Sequence, residues 1–296
     1  MTKPDTAATG KAGAATSQAG AAPSKAGQGA RNLVQRVAAA LVLIPLALAL
    51  AYAGGAAWTS LVTVVAIGLY VEWLMVVGEV RARSVTASGA LALALSGACL
   101  ALGLLDFALV ALGLGLVVVA VLAAGHRSWA AAGFVYAAAA ELASFMVRFD
   151  QNHGWFALVL VLLVVWASDI GGYAAGRGIG GPKLAPLISP NKTWAGAIGG
   201  FVGSLVVAAG WAATGAGRIG PILLVGAVLS VASQLGDLFE SAVKRRFGVK
   251  DSSHIIPGHG GLLDRLDGYI AAIVLAAVLG LMRGGLDGVG RGLMVW

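Results

Sequence analysis

Long apolar segments dominate this chain of 296 residues, 59% of which are hydrophobic and only 11% charged. Runs of about 20 apolar residues, the length that crosses a bilayer as a helix, recur with a mean hydropathy of +0.88. Because lipid does not satisfy open strand edges, these runs predict helices. The sequence therefore predicts an all-α polytopic membrane protein with about nine transmembrane helices, near residues 34–54, 57–78, 86–105, 107–125, 129–147, 154–176, 194–214, 219–237 and 268–284.

The distribution of basic residues predicts the orientation of these spans. With a cytoplasmic N-terminus, sixteen of the twenty Lys and Arg residues fall on the cytoplasmic side, and the exceptions are Arg148, Arg218, Arg283 and Arg291. This is the positive-inside bias of membrane proteins, so the net charge of +7 does not indicate a nucleic-acid partner. We expect a multi-pass protein of the cell (plasma) membrane, with the N-terminus and the polar loops in the cytoplasm.

Polar side chains divide the chain into three regions. Residues 1–31 are rich in Ala, Gly, Ser and Thr, which predicts a disordered cytoplasmic tail. Residues 32–153 predict a scaffold of about five helices, in which Glu72 is expected to snorkel or meet Arg81 and Glu141 is either structural or part of a site. Residues 154–296 predict a catalytic region of about four helices and two cytoplasmic loops.

The second of these loops and its flanks, residues 237–267, carry the densest charge. Asp237, Glu240, Ser241 and Lys244 share one face of a predicted helix. Asp264 and Asp267 are three residues apart at the start of the last span. Two such carboxylate groups facing each other would hold Mg²⁺, with room for a second cation, while neighbouring Lys and Arg offset phosphate charge. The alternative is an ordinary basic juxtamembrane loop with helix-capping aspartates.

The first cytoplasmic loop, within residues 168–193, contains a predicted anion-binding site. Its residues Ser189, Asn191, Lys192 and Thr193 precede a predicted span, where a helix N-terminus favours phosphate. Upstream, Asp169 falls inside an apolar run, where a carboxylate needs a cation or a basic partner. A simple helix cap after a turn is the alternative interpretation of this loop.

These motifs resemble those of the phosphatidate cytidylyltransferases, also called CDP-diacylglycerol synthases. The family's C-terminal signature and its upstream S-P-x-K-T-W element match in register from about 165 to 270. The matching residues are Ser189, Pro190, Lys192, Thr193, Trp194, Gln234, Gly236, Asp237, Glu240, Ser241, Lys244, Arg245, Lys250, Asp251, Ser253, Pro257, His259, Gly260, Gly261, Asp264, Arg265 and Asp267. The chain departs from the pattern at Ala195, where many relatives carry Glu or Gln.

The resemblance implies that CTP and phosphatidic acid react to give CDP-diacylglycerol and pyrophosphate. It implies Asp237 and Asp264 as the main Mg²⁺ ligands, with Asp267 and Asp169 in support. The implied catalytic residues are Lys244, Lys250, Asp251, His259 and Arg265, where His259 either donates to pyrophosphate or shapes the turn. The implied substrate-binding residues are Ser189, Asn191, Lys192, Thr193, Ser241, Arg245, Gly260 and Gly261. A homodimer is compatible with the sequence.

Two other functions fit the composition less well. A transporter of anionic solutes would line the bilayer midplane with polar groups or show repeated halves, but the polar residues here cluster at one face. A CDP-alcohol phosphotransferase or a prenyltransferase would carry D-G-x-x-A-R or D-x-x-x-D arrangements, which this sequence lacks.

Overall fold

Eight long apolar helices make up most of the structure, a computed structural model that describes residues 44–253 and 260–296. Each is long and apolar enough to cross a membrane, which confirms the all-α polytopic class. They follow a shorter helix, α1 (Ile44–Ala53). The eight are α2 (Gly55–Val77), α3 (Arg83–Ala101), α4 (Leu105–Leu122), α5 (Arg127–Phe149), α6 (Gly154–Gly178), α7 (Trp194–Ala213), α8 (Ile219–Arg246) and α9 (Leu263–Gly284).

The predicted spans match these helices to within a few residues, with three informative differences. The third and fourth spans separate at residues 102–104, so Asp106 lies in the first turn of α4 rather than between helices. Helix α8 runs on to Arg246, and α9 begins at Leu263. Asp237, Lys244, Asp264 and Asp267 therefore all lie on rigid helices. The first predicted span begins before the described residues, which contain only its end as α1.

Two short features were not predicted as elements. Strand β1 (Lys183–Ala185) pairs antiparallel with β2 (Ser189–Thr193), forming a hairpin between α6 and α7. At the C-terminus, a 3₁₀ turn (Leu286–Gly288) leads into α10 (Val289–Met294). The α10 backbone is tied to the connection between α5 and α6, because Arg291 N donates to Asp150 Oδ2 at 2.7 Å.

Small residues allow α6 and α7 to pack closely in the C-terminal half of the chain. A Cβ at Gly171 would lie 2.5 Å from the carbonyl oxygen of Gly199, and one at Gly200 would lie 2.6 Å from that of Ser168. Close backbone approach of this kind is how helices associate in lipid. It brings the C-terminal end of α6, with Asp169, against the hairpin and the start of α7.

Glu141 belongs to the scaffold. Its side chain is fully buried, and Oε1 accepts a hydrogen bond of 2.8 Å from Thr63 Oγ1 on α2. It does not line the cavity described below. Of the two roles left open by the sequence, the contacts support the structural one, which joins α2 to α5.

Candidate active site

A cavity of about 650 Å³ lies among α6, the hairpin, α7 and α8. It is the place where the two polar loops predicted from the sequence converge. Its wall combines two carboxylates and two cations with hydroxyl and amide groups and small residues. The lining residues that carry the polar groups are Ser168, Asp169, Tyr173, Arg177, Asn191, Lys192, Thr193, Ser233, Gln234 and Asp237. A cavity of this size and polarity accommodates a phosphate-bearing ligand.

Lys192 and Asp237 form an ion pair in this cavity, joining β2 to α8. Asp169 on α6 and Asp267 on α9 lie close enough for their charges to interact with this pair. The charge of Lys192 is therefore shared among three carboxylates, of which Asp237 is the one in direct contact. Such a group of like charges at the end of membrane helices is costly unless cations offset it. The arrangement is suited to a cation and to a phosphate ligand together.

The hairpin fixes the position of Lys192. Thr193 is buried and caps α7, because its Oγ1 accepts a hydrogen bond from Gly196 N at 3.1 Å. This confirms a helix cap at Thr193, beside which Asn191 and Lys192 face the cavity. The two interpretations of this loop are therefore compatible, since the cap holds β2 at the N-terminus of α7 and presents the neighbouring polar side chains.

A second cluster of charges joins α8 to α9. Lys244 Nζ lies 2.6 Å from Glu240 Oε2 and 2.6 Å from Asp264 Oδ1. Asp264 also accepts hydrogen bonds from the backbone N–H groups of Ser252 and Gly261, each at 3.1 Å to Oδ2. Both oxygens of Asp264 are therefore engaged by protein donors, whereas the ion pair of Asp237 with Lys192 involves only one of its oxygens, Oδ2.

Glu72 reaches this cluster from α2 in the scaffold half. Its side chain is 0% exposed, and it accepts hydrogen bonds from Leu262 N at 2.8 Å and Leu263 N at 2.7 Å. The hydroxyls of Ser252 and Ser253 donate to it at 3.2 and 2.7 Å. The expectation that Glu72 snorkels or meets Arg81 is wrong, because four donors from the catalytic half satisfy its carboxylate inside the protein.

Gly261 is confined by the same contacts. A Cβ at this position would lie 1.8 Å from Ser252 Oγ and 2.7 Å from Glu72 Oε2. Neither neighbour could give way without breaking its hydrogen bond to the other. A glycine is therefore required by close packing at this position of the signature.

The other residues singled out in the sequence occupy varied positions. Arg245 bridges the hairpin and the end of α8, since it donates to the carbonyl oxygens of Ile188 and Val249.

The remaining predicted residues differ in exposure. Around the second cluster, the exposed residues are Lys250, Asp251 and Arg265, whereas Ser189 and Ser241 are half-buried. Gly260 has a φ of +83°, which favours glycine. His259 lies outside the described residues.

Four polar cavity residues were missed by the sequence reasoning: Ser168, Tyr173, Arg177 and Ser233. Tyr173 and Arg177 lie one turn apart on α6, and Arg177 Nη1 donates to the Tyr173 hydroxyl at 3.1 Å. Both line the cavity, and Tyr173 is 68% exposed. The available signal was their helical spacing from Asp169, since residues four and eight positions further on share its face.

The donor chemistry of the cavity fits Mg²⁺. Within 44–253 and 260–296, no three His, Cys, Asp or Glu side chains are arranged to enclose a metal ion. However, Mg²⁺ commonly binds through one or two carboxylates and takes its remaining ligands from water and substrate phosphates. Asp169 and Asp237 line one cavity and offer such oxygens. Asp237 already faces a cation, the ammonium of Lys192.

Comparison with known proteins places the chain in a family. A sequence model of the cytidylyltransferase family matches residues 34–282. A phosphatidate cytidylyltransferase of Brucella suis is 40% identical over 260 residues, covering 84% of this chain and 93% of that protein. Those of Haemophilus influenzae and Staphylococcus haemolyticus are 45% and 46% identical over 130 and 131 residues, covering 42% and 44% of this chain and 45% and 50% of theirs.

The matched range spans all eight long helices nearly to the end of α9 and contains both charge clusters. It also contains Glu72 and the rest of the scaffold half, where the sequence motifs had offered only a compositional likeness. The chain is an enzyme and belongs to the cytidylyltransferase family.

Proposed function

We propose that the chain is a phosphatidate cytidylyltransferase, which makes CDP-diacylglycerol and pyrophosphate from CTP and phosphatidic acid. The observation that carries the proposal is the cavity in which Lys192 is paired with Asp237 beside Asp169. Relatives that share 40% of their residues with this chain over nearly their full length carry that name. The reaction requires a polyanionic nucleotide to meet a lipid phosphate, and the cavity lies at one end of membrane-spanning helices.

The chemistry is a displacement at phosphorus. An oxygen of the phosphatidate phosphate forms a bond to the α-phosphorus of CTP, and the bond from that phosphorus to the bridging oxygen of the β-phosphate breaks. Pyrophosphate leaves with the electron pair. No covalent intermediate on the enzyme is required, so catalysis consists of positioning and charge stabilisation.

Lys192 is the proposed contact to the reacting phosphates. Its ammonium is presented by β2 into the cavity and is held by Asp237. Arg177, which donates a hydrogen bond to Tyr173, supplies a second cation in the lining of the cavity. A guanidinium presents several N–H donors in a plane and is suited to phosphate oxygens. Asn191 adds an amide donor beside Lys192.

A magnesium ion is part of the proposal. Asp169 and Asp237 would hold it together with substrate phosphates, with Asp267 in support, and it would neutralise charge that develops on the phosphate oxygens. The geometry favours these three carboxylates over Asp264, whose oxygens bind Lys244 and two backbone N–H groups. We assign Asp264 instead to holding the residues after α8 against α9.

The location of the cavity supports access for a lipid. Tyr173 and the neighbouring Ile170 are largely exposed on the outer side of α6, within an apolar helix long enough to span a membrane. Acyl chains would remain in the bilayer beside α6 while the headgroup enters the cavity. The positive-inside bias predicts that this end of the helices faces the cytoplasm, where CTP is present.

The proposed function is tested with purified protein in detergent. Phosphatidate, Mg²⁺ and radiolabelled CTP are supplied, and the label is followed into the organic phase. We expect label in a CDP-lipid with the unaltered chain and its loss with Asp237→Asn. Turnover by Asp237→Asn at the level of the unaltered chain would refute the site, and no transfer by a folded sample would refute the function.

A further inference from the structure

Glu72 makes an unusual set of contacts for a residue in the scaffold half of a membrane protein. It is fully buried near the end of α2, and in the part of the chain that the structure describes its carboxylate accepts hydrogen bonds from groups about 180 to 190 positions further along. Burying a carboxylate costs several kcal/mol unless donors satisfy it. Here two hydroxyls and two backbone N–H groups do so.

These four donors come from both sides of one segment. Ser252 and Ser253 precede residues 254–259, whereas Leu262 and Leu263 follow them and open α9. Glu72 Oε1 binds Ser253 and Leu262, and Oε2 binds Ser252 and Leu263. Each carboxylate oxygen therefore contacts one residue before 254–259 and one residue after them. The side chain of Glu72 thus sets the distance between residues 252–253, which follow α8, and the start of α9.

The charge cluster next to Glu72 depends on this spacing. Ser252 donates its hydroxyl to Glu72 and its backbone N–H to Asp264. Asp264 in turn binds Lys244. The negative charge of Glu72 also lies at the N-terminus of α9, where the helix dipole favours an anion. Displacing Ser252 would therefore disturb Asp264 and Lys244 together.

We propose that Glu72 is a positioning residue for catalysis: it fixes residues 252–253 against 262–263, so that Asp264 and Lys244 hold α9 against α8 and Asp267 on α9 keeps the place that the transferase reaction requires. The inference rests on the proposed function. Glu72 does not line the cavity and touches no proposed substrate contact. It acts through Ser252 and the first turn of α9, and it gives the scaffold half a part in the reaction.

The test uses Glu72→Gln, with Glu79→Gln as a matched control. Glu79 is also buried after α2 and accepts a backbone hydrogen bond from His126 N, and among residues 44–253 and 260–296 it contacts neither charge cluster. The glutamine keeps the size of Glu72 but turns an NH₂ group toward two of its four donors. We expect kcat to fall on the order of 100-fold, the effect of a small displacement of reacting groups, and to change less than twofold in Glu79→Gln.

A spin label separates positioning from a general loss of stability. It is attached at Asp251→Cys in a chain that also carries Cys99→Ala, because Cys99 is the only native cysteine. We expect the label to become more mobile in Glu72→Gln and to keep its mobility in Glu79→Gln, with both proteins monodisperse. If Glu72→Gln remains folded and its kcat stays within twofold, or the label does not change, the proposal is refuted.

Ser252→Ala provides a second variant if Glu72→Gln does not fold. It removes one hydroxyl donor and leaves the backbone bond from Ser252 to Asp264 in place. We expect kcat to fall about fivefold, since one hydrogen bond to a charged acceptor is lost. An unchanged kcat in a folded Ser252→Ala protein would overturn the proposal. Lack of transfer by the unaltered chain would instead refute the proposed function.

Discussion

Lys192 on the hairpin and Asp237 on α8 form an ion pair that closes one side of the cavity. Each comes from a different polar loop region. A nucleotide phosphate that takes over Lys192 would release the carboxylate of Asp237 for a cation.

Lys192→Ala should lose activity with little change in stability. Removing the ammonium removes a charge-assisted contact to the reacting phosphates, for which we expect a fall in kcat on the order of 100-fold. Lys183→Ala is the control, because Lys183 lies on the paired strand β1 of the same hairpin but does not line the cavity. Equal activities of the two variants, measured as label transfer from CTP, would exclude Lys192 as a substrate contact.

Asp264→Asn and Asp237→Asn should differ in stability. Asp264 and Lys244 are largely buried, with 14% and 11% of their side chains exposed, and breaking such a pair costs about 3 kcal/mol. The pair of Asp237 and Lys192 is more exposed, at 38% and 27%, and is worth at most about 1 kcal/mol. We therefore expect Asp264→Asn alone to lower the thermal unfolding midpoint by several degrees.

Asp106→Asn serves as the control for this comparison. Asp106 lies in the first turn of α4 and belongs to neither charge cluster. It should change neither the midpoint nor the turnover. A midpoint for Asp264→Asn equal to that of Asp106→Asn would show that the contacts of Asp264 do not stabilise the fold.

Removal of divalent cations should abolish turnover without unfolding the protein. We expect EDTA to stop the transfer of label from CTP and added Mg²⁺ to restore it, because the carboxylates of the cavity require a cation to receive a polyphosphate. The ion pairs and hydrogen bonds that join α8 to α9 are made by protein atoms alone. The unfolding midpoint should therefore stay within about 2 °C in the absence of substrate, a shift that corresponds to less than about 1 kcal/mol. Full activity in EDTA would contradict the magnesium proposal.

The orientation is tested with a cysteine at position 251. Asp251 is exposed at the face that carries both charge clusters, so Asp251→Cys in a Cys99→Ala background should react with an impermeant thiol reagent. We expect the reagent to react in inverted vesicles, which expose the cytoplasmic side of the membrane, and not in intact cells. Position 252 would be a poor choice because Ser252 is buried. Labelling of position 251 in intact cells would show that the predicted orientation is wrong.

Much of the fold was predictable because apolar length sets the spans almost directly. The face shared by Asp237 and Lys244 was also predictable, since helical periodicity continues past the apolar run into the end of α8. The hairpin was not, because its two strands are short and its sequence reads equally well as a turn before a helix. Its place became clear only from the pairing of Lys183 with Thr193.

The contacts between distant segments could not be predicted from the sequence. Glu72 stood out as a charge in an apolar span, but nothing near it in the chain indicates Ser252 or Leu263 as a partner. The division of the aspartates had the same cause: spacing places Asp264 and Asp267 on one helix, and only packing shows that Asp264 binds Lys244 while the charge of Asp267 interacts with that of Asp237. The sequence also left the role of Glu141 open, and its hydrogen bond from Thr63 became visible only in the packing of α2 against α5.

The most direct test follows the two ends of the triphosphate separately. The purified protein is supplied with phosphatidate, Mg²⁺ and CTP that carries ³²P at either the α or the γ position. If the lipid phosphate attacks the α-phosphorus, the α label enters the organic phase and the γ label remains in water as pyrophosphate. Transfer of the γ label to lipid, or of neither label by a folded sample, would contradict the proposed reaction.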